Sequence, residues 1–316
     1  MRLAAAHIAS VFMDTAASIA KAVEWIGRAG EQGVDLLVFP EVFLPGFPHW
    51  INLYPPLVQA GLNARYHAAS IAADGPELAA IAEAARQAKL AVVIGFSERG
   101  RSGTCFNSSA TIDRDGRIAA IHRKLKPTYA ERTVWGEGDG AGLVVPHLSG
   151  IGRVSSLICW EHTMNLARQV VAEQGAVIHA AHWPGLSTLA GFDSIADVQI
   201  EAMMRNHALT GQCVVVCAAG PVGADLIAFL HRELGEQAML REGGGWSAII
   251  HPFAATLAGP VTGGGEQMLV AELDVAAAVA EVKMWVDGSG HYGRPDVLRL
   301  HFDSRPRQTM QQVELS

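Results

Sequence analysis

The sequence predicts an α/β fold, one domain of mixed sheets with helices on the outer faces. Three observations carry this reading. Short apolar runs bounded by glycine or proline recur along the chain, as at residues 34–39 between Gly33 and Pro40, a pattern typical of strands covered on both faces. Segments with apolar residues at helical spacing alternate with them. The turn signal Asp113-Arg114-Asp115-Gly116 joins two further runs into a hairpin.

Taken in order, residues 3–9 read as a buried strand, and Asp14 caps a helix whose apolar positions are Ile19, Val23, Ile26 and Ala29. Residues 34–39 form the second strand, followed by a long loop rich in proline and aromatics. A helix is expected over 77–88, a strand over 90–96 and the hairpin strands over 106–112 and 117–122. After another long loop come a strand at 153–158, a helix at 161–173, a strand at 176–181, a helix at 195–210 and a strand at 213–218. Residues 246–251, 254–258 and 268–273 read as an antiparallel closing set, and 275–286 as a last helix. Residues 1–286 therefore read as a single domain, and 287–316, which lack periodicity, as a C-terminal extension.

Of the 316 residues, 50% are hydrophobic and 17% charged, enough apolar material for a large core. The net charge is -7 and no basic run stands out, which argues against nucleic acid and anionic membrane surfaces as partners. No apolar run approaches the length of about 18 residues that a spanning helix needs. Four cysteines without paired spacing fit a reducing compartment. The Ala-rich N-terminus breaks at His7 and reads as a core strand rather than a signal peptide. A cytoplasmic protein is expected, in which the sequon at Asn107-Ser108-Ser109 has no meaning.

Three apolar strands end in a reactive residue. Residues 35–40 deliver Glu41, residues 117–122 deliver His122, Arg123 and Lys124, and residues 153–158 deliver Cys159 immediately before a helix. Sites in open α/β architectures form at such carboxyl ends. A thiol at a strand-to-helix turn meets free N–H groups and the positive end of a helix dipole, which lower its pKa. The same donors can hold negative charge on an attacked carbonyl or nitrile. A buried structural cysteine is the competing reading, and Cys213 and Cys217, four apart on a strand, read as core. Glu41 also reads as an N-cap or surface carboxylate, Lys124 as part of a solvated basic loop, and Glu131 as an exposed loop acid. An ammonium between two carboxylates and a thiol is a coherent set, because it neutralises the acids and offers positive charge where an oxyanion or imide anion forms.

Metal binding has little support: the thirteen histidines are scattered, with neither an H-E-x-x-H pattern nor a C-x-x-C pair. Gly243-Gly244-Gly245 and Gly263-Gly264-Gly265 lack the Lys-Ser/Thr of a phosphate loop, so no cofactor is expected. Trp50, Tyr54, Trp135, Trp183 and Pro184 are candidates to shape a pocket, with core or rim packing as the alternative, and Trp160 joins them beside Cys159.

Several stretches then fall into one order. They are Val38-Phe39-Pro40-Glu41-Val42-Phe43-Leu44-Pro45-Gly46-Phe47-Pro48, Arg123-Lys124-Leu125-Lys126-Pro127-Thr128 with Glu131-Arg132, Trp135-Gly136-Glu137-Gly138-Asp139-Gly140, Cys159-Trp160-Glu161-His162, Trp183-Pro184-Gly185, and Gly290-His291-Tyr292-Gly293-Arg294-Pro295-Asp296. Together they resemble the nitrilase superfamily of carbon–nitrogen hydrolases, and within it the branch acting on nitriles. The resemblance implies a four-layer α-β-β-α sandwich and a Glu-Lys-Cys triad carried by Glu41, Lys124 and Cys159. It selects Lys124 over Lys126 and gives Glu131 a substrate-positioning role. The implied reaction turns a small-molecule nitrile into acid and ammonia through a covalent thioimidate and thioester on Cys159. An amidase, carbamoylase or cyanide hydrolase could use the same triad, and a non-catalytic scaffold subunit is the reading of another class. The resemblance also implies a homodimer or a larger, spiral homo-oligomer, with 287–316 against a partner subunit. Thr163-Met164-Asn165-Leu166, Thr210 and Gly293 depart from the family pattern.

Overall fold

Strands β1 (Arg2–His7) and β2 (Leu36–Val38) are apolar at nearly every position, so both their faces must be covered. Leu3, Ala5, Leu36 and Val38 face a second sheet, whereas Ala4, Ala6 and Leu37 face helices α1 (Thr15–Glu31) and α3 (Pro76–Ala88). The computed structural model, which describes residues 1–307, meets this demand with four layers, α-β-β-α.

The first sheet has the order β12-β1-β2-β3-β4-β5, adding β3 (Ala91–Arg99), β4 (Cys105–Ile112), β5 (Ile118–Arg123) and β12 (Gln267–Glu272). The second has the order β11-β10-β9-β8-β7-β6. Its strands are β6 (His147–Leu148), β7 (Gly152–Ile158), β8 (Ile178–Pro184), β9 (Val214–Gly220), β10 (Ser247–Ile250) and β11 (Thr256–Val261). Each sheet has a parallel centre, β1-β2-β3 in one and β7-β8-β9 in the other, and antiparallel margins. Val154, Ile178, Val214 and Ile249 meet Leu3, Leu36 and Val93 between the sheets. Helices α4 (Asn165–Glu173) and α5 (Ala196–Gly211) cover the second sheet's outer face, where Ile200, Met204 and Ala208 join Val215, Cys217 and Ile250 in one cluster.

The expected closing set is corrected. The first two segments do pair as β10 and β11, but β12 crosses to the other sheet and pairs antiparallel with β1. That edge of β1 would otherwise leave its N–H and C=O groups unpaired, and the crossing lets Leu269 and Ala271 join the core between the sheets. Two helices were not expected. Helix α2 (Ala60–Ala69) buries only Leu62 and Tyr66, too little for a periodic signal. Helix α6 (Ala224–Leu234) carries Leu226, Ile227, Leu230 and Leu234 at helical spacing, a signal the sequence does hold. Helix α7 (Val275–Trp285) packs Val275 and Val279 into the intersheet core.

Residues 287–307 form no helix or strand and run back to the 139–140 loop, where the Arg307 N–H donates to Asp139. The rest of the expected extension, 308–316, lies outside the described residues. No helix among the described residues is long and apolar enough to cross a membrane.

One close approach fixes the end of β2. A Cβ on Gly95 of β3 would fall 2.5 Å from the Val42 nitrogen and 2.7 Å from the Pro40 oxygen. By contrast, Gly27 is exposed in the middle of α1 with nothing within 4 Å of an added Cβ. Chemical denaturation should show Gly95→Ala destabilising the protein by about 1–3 kcal/mol, and Gly27→Ala stabilising it by about 0.5–1 kcal/mol.

Candidate active site

The carboxyl ends of β2, β5 and β7 converge, and each is followed by one polar residue that the fold buries. Glu41 is 3% exposed, Lys124 1% and Cys159 1%. Glu131, 4% exposed, arrives from a 3-10 turn at Tyr129–Thr133, where its carboxylate folds back to accept from the Thr128 N–H at 2.9 Å. The Lys124 ammonium donates to both carboxylates: 3.1 Å to Glu41 Oε1, and 3.0 and 2.7 Å to the two Glu131 oxygens. The Cys159 sulfur and one oxygen from each glutamate lie within 4.8 Å of one another. The first sheet thus supplies the acids and the ammonium, and the second supplies the thiol.

Asn107, whose sequon seemed meaningless, has a part here. Its backbone oxygen accepts from the Lys124 N–H at 2.8 Å, extending the β4–β5 ladder by one rung, and its side-chain amide donates to Glu41 Oε1 at 2.6 Å. The amide nitrogen that glycosylation would modify is therefore buried against a carboxylate.

Backbone strain collects at the same place. Seven non-glycine residues among those described have positive φ, and three of them lie at or beside this cluster: Val42 (45°), Tyr129 (48°) and Cys159 (54°). Left-handed backbone is costly for a branched residue such as Val42 and persists only where the surroundings enforce it. At Cys159 it turns the chain sharply out of β7 into a 3-10 turn, Cys159–Thr163, and α4 begins only at Asn165.

This corrects the expected electrostatics of the thiol. A single 3-10 turn, not an α-helix, follows Cys159, and the thiol is pushed well above its ordinary pKa. Burial is the main cause and the charges of Glu41 and Glu131 add to it, against Lys124 and the Trp160 N–H. Burial also pushes Glu41 up, to about 7, with Glu131 reinforcing and Lys124 and Asn107 opposing. Burial works against the charge on Lys124, but Glu131 and Glu41 outweigh it and hold the ammonium well above the usual lysine range. The resting state is therefore a neutral thiol beside a carboxylate poised to accept its proton near neutral pH. The same three acidic groups are close enough to ligate a metal ion. A cation there would have to share both carboxylates with an ammonium already bonded to them.

Glu161, where the sequence places the start of a helix, is a clasp between the two sheets. Its buried carboxylate accepts from the Ile158 N–H at 2.8 Å, the Leu125 N–H at 2.7 Å and His122 Nε2 at 2.9 Å. It thereby ties the residue before Cys159 to the residue after Lys124. Next to it, His162 Nδ1 donates to the Cys159 carbonyl at 2.6 Å. Its Nε2, 2.9 Å from His179 Nε2, must then accept, so Nδ1 of His179 is left to accept from the Ser155 hydroxyl at 2.8 Å. Burial keeps this chain neutral, with His162 lowered to about 4 and His179 further.

Of the six expected pocket residues, Trp160 lines the neighbouring cavity of about 400 Å³, together with Phe47, Leu186, Leu189, Phe192 and Met239. The others are placed elsewhere. Trp50 is core, its Nε1 donating to Asn63, and Trp135 donates to Ser97 beneath Phe47. Trp183 is fully buried edge-on to Trp160, with ring centroids 5.6 Å apart. Tyr54 is held by its hydroxyl to Gly235, and Pro184 borders a water-sized void of about 30 Å³ on the Glu41 side.

Burial raises the pKa of Glu161, but His122 and the two backbone donors outweigh it, so the net shift is downward. Its stabilising contribution is then present above the ordinary carboxylate pKa and is lost as pH falls through the folded value. Urea denaturation at pH 7 should show Glu161→Gln destabilised by about 2–4 kcal/mol, and the gap from wild type should narrow as the pH is taken below about 4.

The carbon-nitrogen hydrolase family model matches residues 2–281. An aliphatic nitrilase of Rhodococcus rhodochrous is 37% identical over 309 residues, covering 96% of this chain and 83% of that protein. A nitrilase of Pseudomonas syringae is 35% identical over 307 residues, covering 97% of this chain and 90% of the relative. Among solved structures, Nit3 of Saccharomyces cerevisiae, a member of branch 10 of the nitrilase superfamily, superposes with a TM-score of 0.72. The two share 16% identity, over 93% of this chain and 97% of Nit3. A model match over nearly the whole length, on a shared four-layer fold, establishes that the chain belongs to the carbon-nitrogen hydrolase family.

Proposed function

We propose that this chain is a nitrilase that converts an organic nitrile to its carboxylic acid and ammonia through a covalent intermediate on Cys159. The observation that carries the reading is a thiol whose sulfur has carboxylate oxygens of Glu41 and Glu131 within 4.8 Å, both acids held by one ammonium. The names of the two sequence relatives point the same way.

The steps follow from the groups present. Sγ bonds to the nitrile carbon as one carbon–nitrogen π bond breaks, and the thiol proton passes through Glu41 to the nitrogen, giving a thioimidate. Water adds to that carbon, Glu41 relays one of its protons and then the other to nitrogen, and ammonia leaves as the carbon–nitrogen bond breaks and the carbonyl forms. A second water, activated by Glu41, cleaves the remaining thioester, so the acid departs and the sulfur regains its proton. Lys124 and the Trp160 N–H stabilise the negative charge that develops on nitrogen and then on oxygen. Glu131 fixes the ammonium and, bordering the cavity, positions substrate. A base is needed because so little of a buried, high-pKa thiol ionises alone.

The same reading takes residues 1–286 as the catalytic domain and 287–316 as an extension that contacts a partner in a homo-oligomer. Apolar side chains left exposed at Met284, Trp285, Tyr292 and Leu298 support this. Four buried, unpaired cysteines support a cytoplasmic setting.

Incubation with nitriles should yield acid and ammonia, and intact-mass analysis should find an adduct that Cys159→Ala abolishes. Turnover of amides with every nitrile inert would replace this reading with an amidase. Glu41→Gln should lower kcat/KM by about 10²–10⁴-fold. For wild type, kcat/KM should rise with pH through about 7 as Glu41 ionises. Asn107→Ala removes a donor that lowers the pKa of Glu41, so that limb of the profile should move to higher pH.

A further inference from the structure

Another cavity, of about 430 Å³, opens between α4 and α5 on the outer face of the second sheet. The polar side chains along it are Asn165, Arg168 and Gln169 from α4 and Asn206, His207 and Thr210 from α5. It shares no lining residue with the apolar cavity at Trp160.

Arg168 is half-buried there, and among the described residues no carboxylate pairs with its guanidinium. One Nη donates to Asn206 Oδ1 and the other to Asn165 Oδ1, the second at 2.6 Å, while Nε is buried without a partner. Burial holds the guanidinium below its ordinary pKa, and no acid opposes it. The acids of the same two helices are engaged elsewhere. Glu173 accepts from Gln169, Glu201 pairs with Arg205, and Asp197 lies at the other end of α5. The inner wall brings no negative charge either. His207 is 1% exposed, with its ring centroid 3.9 Å from that of His179. Burial first, and the charge on Arg168 after it, hold both rings well below the ordinary histidine pKa, so both are neutral.

A cation taken partly out of water without a counter-ion is costly. The cleft around it is also rich in donors. A guanidinium has five N–H groups and no acceptor, so the two asparagine oxygens must face Arg168 and the NH2 group of each amide is turned away from it. Neither NH2 group has a partner among the described residues. An oxyanion suits such a place, because two parallel N–H donors of one guanidinium can reach two of its oxygens. A polyanion does not, since the cleft holds a single cation on a chain of net charge -7.

We propose that the α4–α5 cleft is a binding site for a small oxyanion, a phosphate or a carboxylate, with Arg168 as the counter-charge and the amide groups of Asn165 and Asn206 as further donors.

The test is thermal unfolding of the full chain titrated with potassium phosphate or potassium acetate, each against potassium chloride at equal ionic strength. At least one of the two oxyanions should raise Tm along a saturating curve, by about 1–3 °C beyond chloride. A saturating response to phosphate alone assigns the site to phosphates, and one to acetate assigns it to carboxylates. Arg168→Gln should abolish the saturating rise and leave only the shallow, unsaturated effect that excluded salts have on any protein. Thr210→Glu, which puts a carboxylate on the α5 wall of the cleft, should remove the response while the variant stays folded in chloride. No saturating rise with either anion, or a rise that survives Arg168→Gln, would overturn the proposal. If Arg168→Gln does not fold, Thr210→Glu decides, and a response it leaves intact ends the case for the site.

Discussion

Two carboxylates and one ammonium, all withdrawn from water, leave the cluster at the strand ends one charge short of neutrality. Burying an unbalanced charge is expensive, and proteins commonly relieve it by moving a proton. Lys124 lies nearer the oxygens of Glu131 than that of Glu41, so the ion pair is most nearly Lys124 with Glu131, and Glu41 is left as the acid that can exchange its proton. Its rise to about 7 comes first from burial, with the Glu131 charge adding to it. A base matched to neutral pH thus comes from a carboxylate kept dry beside a second acid, with no help from a helix dipole.

The surrounding structure serves to keep those groups from relaxing. Val42, Tyr129 and Cys159 are held in left-handed backbone, Gly95 gives the end of β2 room to turn, and the Glu161 clasp prevents the Lys124 and Cys159 strands from parting. The left-handed residues cost stability locally, a cost offset by the core between the sheets. The neutral histidine chain from the Cys159 carbonyl to Ser155 also satisfies polar groups that the sharp turn would strand.

Much of this could be read from the sequence, and what was missed has physical reasons. Strand runs such as residues 36–39 are apolar at every position, so their existence and burial are written locally. Glu41, Lys124 and Cys159 stood out because each follows such a run, and Lys124 was separable from Lys126 only by resemblance; Lys126 proves exposed and paired with Glu137. Asn107 and Glu161 were passed over because their roles depend on partners 66 and 36 residues away. The aromatic candidates stayed open between pocket and core for a related reason: Trp50 and Trp135 are large enough to bury anywhere, and nothing local says which side of a loop they face. The pairing of β12 with β1 was likewise invisible, since register between distant strands is fixed by an edge the other strands leave vacant.

That last pairing has a consequence for how the molecule is made. The amino-terminal nitrogen of Met1 donates to the Leu273 oxygen at 2.9 Å, and the strand that completes the first sheet is synthesised after every other strand of that sheet. Until then β1 keeps an open, apolar margin while most of the chain is synthesised, a margin on which a nascent neighbour could add itself. Shortening the chain ahead of Gln267 would leave that margin of β1 open for good.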